Sequence, residues 1–259
     1  MIWSKAEKIA ISAKNCGSLF PITTNAKQLS QDSIDFELRV INQNIHTKIS
    51  TSKTQGNPFL PYDDDMYVCD IGDEHVCLLN KFPVLTPHIL VCSKTFVEQR
   101  EALTLQDFAA WIECFQNGDE LGFYNGGRDA GASQPHRHMQ LVLGKAPLET
   151  TILKGQLPFE HKLYRFDELN AEDVYSCYLA GMKELALLAK PYCKANNLLL
   201  TNRWFLIVPR SKVKHEDIFL NGLNYAGYFL LKSEEQHTYL KENSCLSVLT
   251  ECSFAVSGR

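Results

Sequence analysis

The chain has 259 residues, 45% of them hydrophobic and 22% charged, with a formal net charge of −4 at pH 7. That length allows one elaborated domain or two small ones sharing an interface, and the slight acidic balance argues against a broad nucleic-acid surface, which needs excess Lys and Arg to displace counterions. No apolar run approaches the roughly 18–20 residues of a bilayer span, the amino terminus has no signal-peptide apolar segment, and the nine cysteines are scattered without a C-x-x-C pair, so reduced thiols in a cytoplasmic protein are expected.

Residues 1–56 read as mixed sequence with some helical character, running into a polar tract, Asn42 to Gly56, expected to be a surface excursion. Two prolines in Asn57-Pro-Phe-Leu-Pro-Tyr62 interrupt regular structure. Asp63-Asp-Asp65 has the composition of a metal-ligand cluster, but an acidic solvated turn before a strand is the commoner meaning of such a run.

Strand formers dominate Met66–Ile71 and His75–Asn80 around a Gly72-Asp73 turn, and again His88–Cys92 after a proline-broken segment. The unbroken apolar runs at 76–79 and 89–91 predict strands covered on both faces. Thr104-Leu-Gln-Asp107 has the form of a capping box, and Leu105, Phe108, Ala109, Ile112 and Phe115 at helical spacing predict a helix over 105–117, ended by Gly118. A short strand, Leu121–Tyr124, then enters a glycine-rich loop, and His136–Leu143 leaves it as another. This β–β–β–α–β–β order predicts a mostly antiparallel α+β fold rather than a doubly wound parallel one.

In the second half, Asn170 caps a helix with apolar positions Val174, Cys177, Tyr178, Met182, Leu185 and Leu188, and Pro191 lies past its end. Asn197–Ser211 reads as two strands around a turn near Asn202-Arg203, Asn221–Gly227 as a glycine-containing segment, and a helix starts near Ser233. The remaining tail has no clear pattern. With no repeat or low-complexity linker, the expected division is residues 1–165, including an amino-terminal extension, with residues 166–259 packed on them.

The chemistry concentrates at Asn125 to Leu143. Side chains two apart on a strand share a face, so His136, His138 and Gln140 point one way. Such alternation can mean only a half-solvated strand. Two histidines could also ligate zinc, given a third ligand brought in by folding, such as His75, His88 or a carboxylate. The third reading is nucleophilic catalysis at phosphorus: a neutral imidazole on rigid backbone at His138, His136 assisting its orientation, and uncharged Gln140 holding a non-bridging oxygen. Gly122, Gly126, Gly127 and Gly131 crowd a loop of the kind whose backbone N–H groups close on phosphate, and Asn125, Arg128, Ser133 and Gln134 add donors, which favours the phosphate chemistry.

Asn125…Gly-Ala-Ser-Gln-Pro-His-Arg-His-Met-Gln-Leu resembles the active-site segment of the histidine-triad superfamily, in the transferase branch that has glutamine for the third histidine. Asn80-Lys-Phe-Pro-Val84 with Pro87-His-Ile-Leu-Val91 is similar to that superfamily's earlier strand–turn–strand. Asn197-Leu-Leu-Leu-Thr-Asn-Arg-Trp-Phe, Val208-Pro-Arg-Ser211 and Gly222-Leu-Asn-Tyr-Ala-Gly227 look like the carboxy-terminal signature of the ATP adenylyltransferase, or diadenosine tetraphosphate phosphorylase, family. The likeness spans roughly residues 57–230.

The resemblance implies a histidine-triad-like α+β fold with a mostly antiparallel central sheet, flanking helices and a carboxy-terminal extension. It implies that His138 takes AMP from diadenosine tetraphosphate with release of ATP, and that phosphate then accepts the AMP to give ADP. Gln140 would contact the transferred phosphoryl group, Ser133 and Gln134 the phosphate chain and Asn125 the nucleotide, with Lys81 as a weaker carry-over for charge neutralisation. Gly126 and Ala132 stand where the family often has serines, which puts the donor substrate in question. Mg²⁺ suits a polyphosphate substrate, although no residue demands it. A monomer acting on small nucleotides is expected, without nucleic-acid or membrane partners. A hydrolase, a nucleotidyltransferase using a sugar phosphate or sulfate, and a catalytically degenerate nucleotide-binding module remain as alternatives.

Overall fold

A helix opens the chain, α1 (Ile2–Cys16), because Ile2, Trp3, Ala6, Ala10 and Ala13 make one apolar stripe. The computed structural model describes residues 1–42 and 56–256, so most of the polar Asn42–Gly56 tract lies outside the described residues. After α1, where no regular structure is expected, come two strands, β1 (Thr24–Gln31) and β2 (Ile34–Ile41). Ile34, Phe36, Leu38 and Val40 alternate with polar residues, which is the half-buried strand pattern, and Asp32 and Ser33 turn the hairpin with positive φ.

Asp63–Asp65 form a capped acidic turn: the Asp63 carboxylate accepts from the Asp65 N–H, Asp65 accepts from the Ser18 hydroxyl, and Lys81 pairs with Asp63 at 3.6 Å. Next are β3 (Tyr67–Ile71), β4 (His75–Leu79) and β5 (His88–Ser93), close to their predicted bounds. Helix α2 (Leu105–Ile112) has the predicted capping box, Thr104 with Asp107, but stops well before residue 117. Its last turns tighten, and the Glu120 carboxylate draws the chain away by accepting three backbone N–H groups, from Gln116, Asn117 and Gly118. Strand β6 (Glu120–Gly126) is longer than predicted and includes Asn125, whereas β7 (His138–Leu143) begins later, with His136 in an isolated bridge to Glu98.

The second half holds α3 (Glu149–Leu153), β8 (Lys162–Arg165), α4 (Ala171–Glu184), β9 (Asn196–Leu200), β10 (Trp204–Pro209), the short pair β11 (Lys214–His215) and β12 (Ile218–Phe219), α5 (Gly222–Tyr225), β13 (Tyr228–Leu231), α6 (Glu234–Glu242) and α7 (Cys245–Glu251). Asn170 caps α4 as expected, but Leu185 and Leu188 fall beyond its end.

Eight strands form one antiparallel sheet in the order β3-β4-β5-β7-β6-β9-β10-β8. One face packs α1, α2 and α4 over Met139, Leu141, Leu198 and Phe205. The other packs the carboxy-terminal elements and a three-stranded sheet, β1-β2-β13, over Phe123, Val142, Leu199 and Val208. Strands β4, β5, β9 and β10 are buried at every position, as their apolar runs require. In the smaller sheet β13 runs parallel to β2, so two stretches far apart in the chain close over the second face together. No helix among the described residues is long and apolar enough to cross a membrane.

Candidate active site

β7 displays the predicted alternation. Arg137, Met139 and Leu141 turn to the helical face, while His136, His138 and Gln140, at 0%, 3% and 7% exposure, turn to the opposite one. The strand is clamped from behind. Arg137 donates to the Asp107 carboxylate at 2.8 Å and to the Ala102 carbonyl at 3.0 Å, and Trp111 donates to the Gln140 carbonyl at 3.2 Å. Burial alone would raise the Asp107 carboxyl pKa, but the His75 hydrogen bond, the Arg137 charge and two donors from Thr104 outweigh it and hold the group below the usual range.

His138 is set up as a single-ended base. Its Nδ1–H donates to the His136 carbonyl at 2.7 Å, which fixes the tautomer and leaves the Nε2 lone pair without a partner among the described residues. The backbone is held too: the His138 N–H donates to Gln99 Oε1 at 2.9 Å, and Gln99 Nε2 donates to the Asn125 carbonyl at 2.9 Å. Phe59 covers the ring at 5.3 Å between centroids. Burial pushes the imidazole down to about 4, partly offset by the His136 carbonyl bond, so it is neutral at physiological pH.

Two Asx turns do parallel work. Asn57 accepts the Phe59 N–H on its Oδ1 and so turns its amide NH₂ toward His136 Nδ1 at 2.8 Å. Asn80 accepts the Phe82 N–H in the same way and turns its NH₂ to His88 Nδ1 at 3.0 Å. With Nδ1 accepting, each histidine donates from Nε2: His136 to the Ser93 carbonyl at 2.8 Å, and His88 to Gln140 Oε1 at 3.1 Å. His136 therefore keeps no free nitrogen for a metal or a phosphate, and acts through its carbonyl. The Gln140 oxygen is occupied, so its NH₂ is the end presented to a ligand. Burial pushes His88 down to about 4, with the Gln140 bond opposing and His138 reinforcing the shift.

The glycine-rich loop is built differently from expectation. The N–H groups of Gly127, Ala130, Gly131 and Ala132 are all consumed by carbonyls of the loop itself. Gly126 is needed for packing, since a Cβ there would lie 2.7 Å from Asn196 Nδ2, and Gly131 has φ +93° with a Cβ position 2.6 Å from the Leu220 carbonyl. Among the described residues, the backbone N–H groups of Arg128, Asp129, Ser133 and Gln134 make no hydrogen bond, and of these residues Ser133 and Gln134 line the cleft. Asn125 Oδ1 accepts from the Gly222 N–H at 2.8 Å and from Asn197 at 2.9 Å, tying the loop to α5 and β9.

Ser133, Gln134, His138, Gln140 and Lys81 come together around one cleft of about 1040 Å³, with His136 behind it. Asn125 lines an adjoining cavity of about 340 Å³ instead, and Asn80, Phe82, Ser133 and Gln140 border both. Lys81, half-buried, is shared with Asp63. Arg210, just past the end of β10, is buried: it donates to the carbonyls of Cys252 and Lys212 and stacks on Tyr225 at 4.9 Å. Local sequence gives no role to Gln99, Ser93, Asn57 or Asn80, and His88, considered as a metal ligand, instead bridges Asn80 and Gln140. Only the repeated Asn-x-Phe at 57–59 and 80–82 was a local signal for any of them. His75, considered as a metal ligand, is spent on Asp107, and no group of three or more potential ligands for a metal ion occurs among the described residues.

Two family models match the chain: the Ap4A phosphorylase N-terminal domain over residues 1–165 and the ATP adenylyltransferase C-terminal domain over residues 155–255. Diadenosine 5′,5‴-P1,P4-tetraphosphate phosphorylase 2 of Saccharomyces cerevisiae is 29% identical over 256 residues, covering 80% of this chain and 78% of the yeast protein. The crystal structure of yeast Ap4A phosphorylase Apa2 matches with a TM-score of 0.85 at 25% identity, covering 100% of this chain and 96% of that one. A structure of the same yeast enzyme in complex with AMP matches at 0.84 and 25% identity, covering 98% of each chain.

Proposed function

The chain belongs to the Ap4A phosphorylase family, and from that membership we propose that it splits diadenosine tetraphosphate with phosphate, giving ADP and ATP, through an AMP carried on His138. The observation that carries this reading is the His138 ring, pinned at Nδ1 by the His136 carbonyl, neutral, and free at Nε2 within a cleft of about 1040 Å³. That is the state a nitrogen nucleophile requires.

In the first step Nε2 bonds to the α-phosphorus and the bond from that phosphorus to the bridging oxygen breaks, releasing ATP. In the second an oxygen of inorganic phosphate attacks the same phosphorus, the N–P bond breaks, and ADP leaves with the imidazole restored to neutrality. The Gln140 NH₂ and the N–H groups of Ser133 and Gln134 hold non-bridging oxygens as charge moves onto them. His136 positions the nucleophile, and Gln99 fixes its backbone. Lys81 offsets phosphate charge at the rim, and Asn125, facing the adjoining cavity, presents its NH₂ to the nucleotide. Glutamine in place of a third histidine supplies no proton, which suits a leaving group as good as ATP. We place the enzyme in the cytoplasm as a monomer. Support for the reducing compartment comes from Cys77, Cys92, Cys114, Cys245 and Cys252, which serve as core side chains.

The test incubates the protein with diadenosine tetraphosphate, with and without phosphate, and separately with α-³²P-labelled ADP, whose AMP passes to His138 with release of phosphate when the second step runs in reverse. Phosphate-dependent ADP plus ATP, and acid-labile label on wild type but not on His138→Ala, are expected. Formation of AMP plus ATP without phosphate would mean hydrolysis. Equal labelling of both proteins would remove His138 as nucleophile.

A further inference from the structure

The hairpin of β6 and β7 comes apart before either strand ends. Its ladder runs from Glu120 opposite Leu143 to Phe123 opposite Gln140. Beyond that point β6 stays paired with β9 through Gly126, and β7 stays paired with β5 through His138. In the same register Asn125 and His138 come opposite each other two residues on, where an antiparallel ladder repeats its hydrogen-bonding pattern. The side-chain amide of Gln99 stands between them instead. Its Oε1 accepts the His138 N–H at 2.9 Å, and its Nε2 donates to the Asn125 carbonyl at 2.9 Å and the His138 carbonyl at 3.3 Å. Gln99 is 1% exposed, and its backbone is tied to both sides: the N–H donates to the Pro135 carbonyl at 2.7 Å, and the carbonyl accepts the Tyr124 hydroxyl. Glu98 bridges His136, and the Val97 carbonyl accepts the Arg137 N–H at 2.8 Å. The chain entering β7 therefore follows residues 97–99 rather than β6.

We infer that Gln99 is a positioning residue whose amide acts as a spacer in this hairpin, and that the spacing sets the aim of His138 Nε2 relative to the phosphate-binding donors of Ser133 and Gln134. The inference rests on the phosphorylase reading above. Strands joined by direct rungs lie about 4.8 Å apart, and an inserted amide with a hydrogen bond on each side holds them several ångströms wider. The loop carrying Ser133 and Gln134 leaves and rejoins the hairpin at this widened mouth. A side chain that let the gap close would move the His138 backbone and, with it, the His136 carbonyl that pins the ring. The place calls for a neutral group that accepts at one end and donates at the other, which the amide of glutamine supplies.

Gln99→Glu separates this role from a merely structural one, because a carboxyl has both ends only when protonated. Protonated, it accepts from the His138 N–H and donates its O–H to the Asn125 carbonyl. Ionised, it turns negative charge on the two carbonyls. Burial carries the protonated form toward the neutral range. The first chemical step is read as the burst of ATP from diadenosine tetraphosphate in the absence of phosphate. At pH 9 Gln99→Glu should be slower than wild type by about a hundredfold, the scale of an ångström-sized misplacement, and at pH 6 it should come within about tenfold. Wild type should stay level between those values, and Gln99→Leu should be slow by about a hundredfold at both. The dissociation constant for AMP, measured by calorimetry, should stay within about threefold of wild type in both variants, which shows that they fold and that the loss lies in the rate. A Gln99→Glu profile as level as that of wild type, a fully active Gln99→Leu, or a loss matched by equally weakened AMP binding would overturn the assignment. If wild type gives no ATP burst, the phosphorylase reading fails first and this one with it.

Discussion

Replacing His88 with leucine isolates one buried imidazole from every other titrating group. At neutral pH the variant loses two hydrogen bonds, from Asn80 at 3.0 Å and to Gln140 at 3.1 Å, and leaves a buried donor and a buried acceptor unpaired. Leucine recovers some apolar burial, so a net cost of about 2 kcal/mol at pH 7 is expected. Acid reverses the comparison. In the unfolded chain His88 titrates near 6.5, and in the folded protein near 4, so between those values the unfolded state binds the extra proton and wild type loses stability as pH falls. For one such group that loss is about 2 kcal/mol at pH 5, and almost nothing at pH 7. The leucine variant has no such loss, and contributions from His138 and the rest cancel in the difference. Urea denaturation of both proteins at pH 7 and pH 5 should therefore show a gap of about 2 kcal/mol closing to near zero. A gap that stays constant would mean that His88 is not held neutral by burial. The same variant frees the Gln140 amide to rotate, so its kcat should fall by about tenfold or more.

Two further outcomes follow from the site. Gly126→Ser, which places a Cβ 2.7 Å from Asn196 Nδ2, should cost about 1–3 kcal/mol, and Asn196→Ala should recover much of that in the double variant; unchanged thermal stability of the single variant would refute the packing role of this glycine. The rate of adenylylation by diadenosine tetraphosphate, followed by rapid quench, should stay level from pH 8 to about 5 and fall only toward the depressed His138 value near 4, because the neutral ring is the reactive form; a fall centred near 6.5 would place His138 in water rather than in a desolvated wall.

Properties set by covalent geometry were readable one segment at a time. Alternation on a strand follows from the backbone, so His136, His138 and Gln140 could be placed on one face, with Arg137, Met139 and Leu141 on the other, before any fold was known. Caps at Thr104 and Asn170, and the two-sided burial of β4, β5, β9 and β10, were likewise local. The β2 strand is equally legible in the alternation of Ile34, Phe36, Leu38 and Val40 with polar residues. The end of α2 was not, because it depends on Glu120 reaching back to three N–H groups.

What tertiary structure alone decided is which atoms remain free. Nothing in the local sequence says that Gln99 grips His138, that Asn57 and Ser93 occupy both nitrogens of His136, or that the loop glycines spend their N–H groups on the loop and leave the donors at Ser133 and Gln134. Nor does it say that β13 lies beside β2, an alignment that turns two unremarkable termini into the wall of a second cavity. A residue's type and local face are fixed by its neighbours in the chain. Its hydrogen-bond partners and its desolvation are fixed by groups tens of residues away, and those decide which nitrogen is left without a partner.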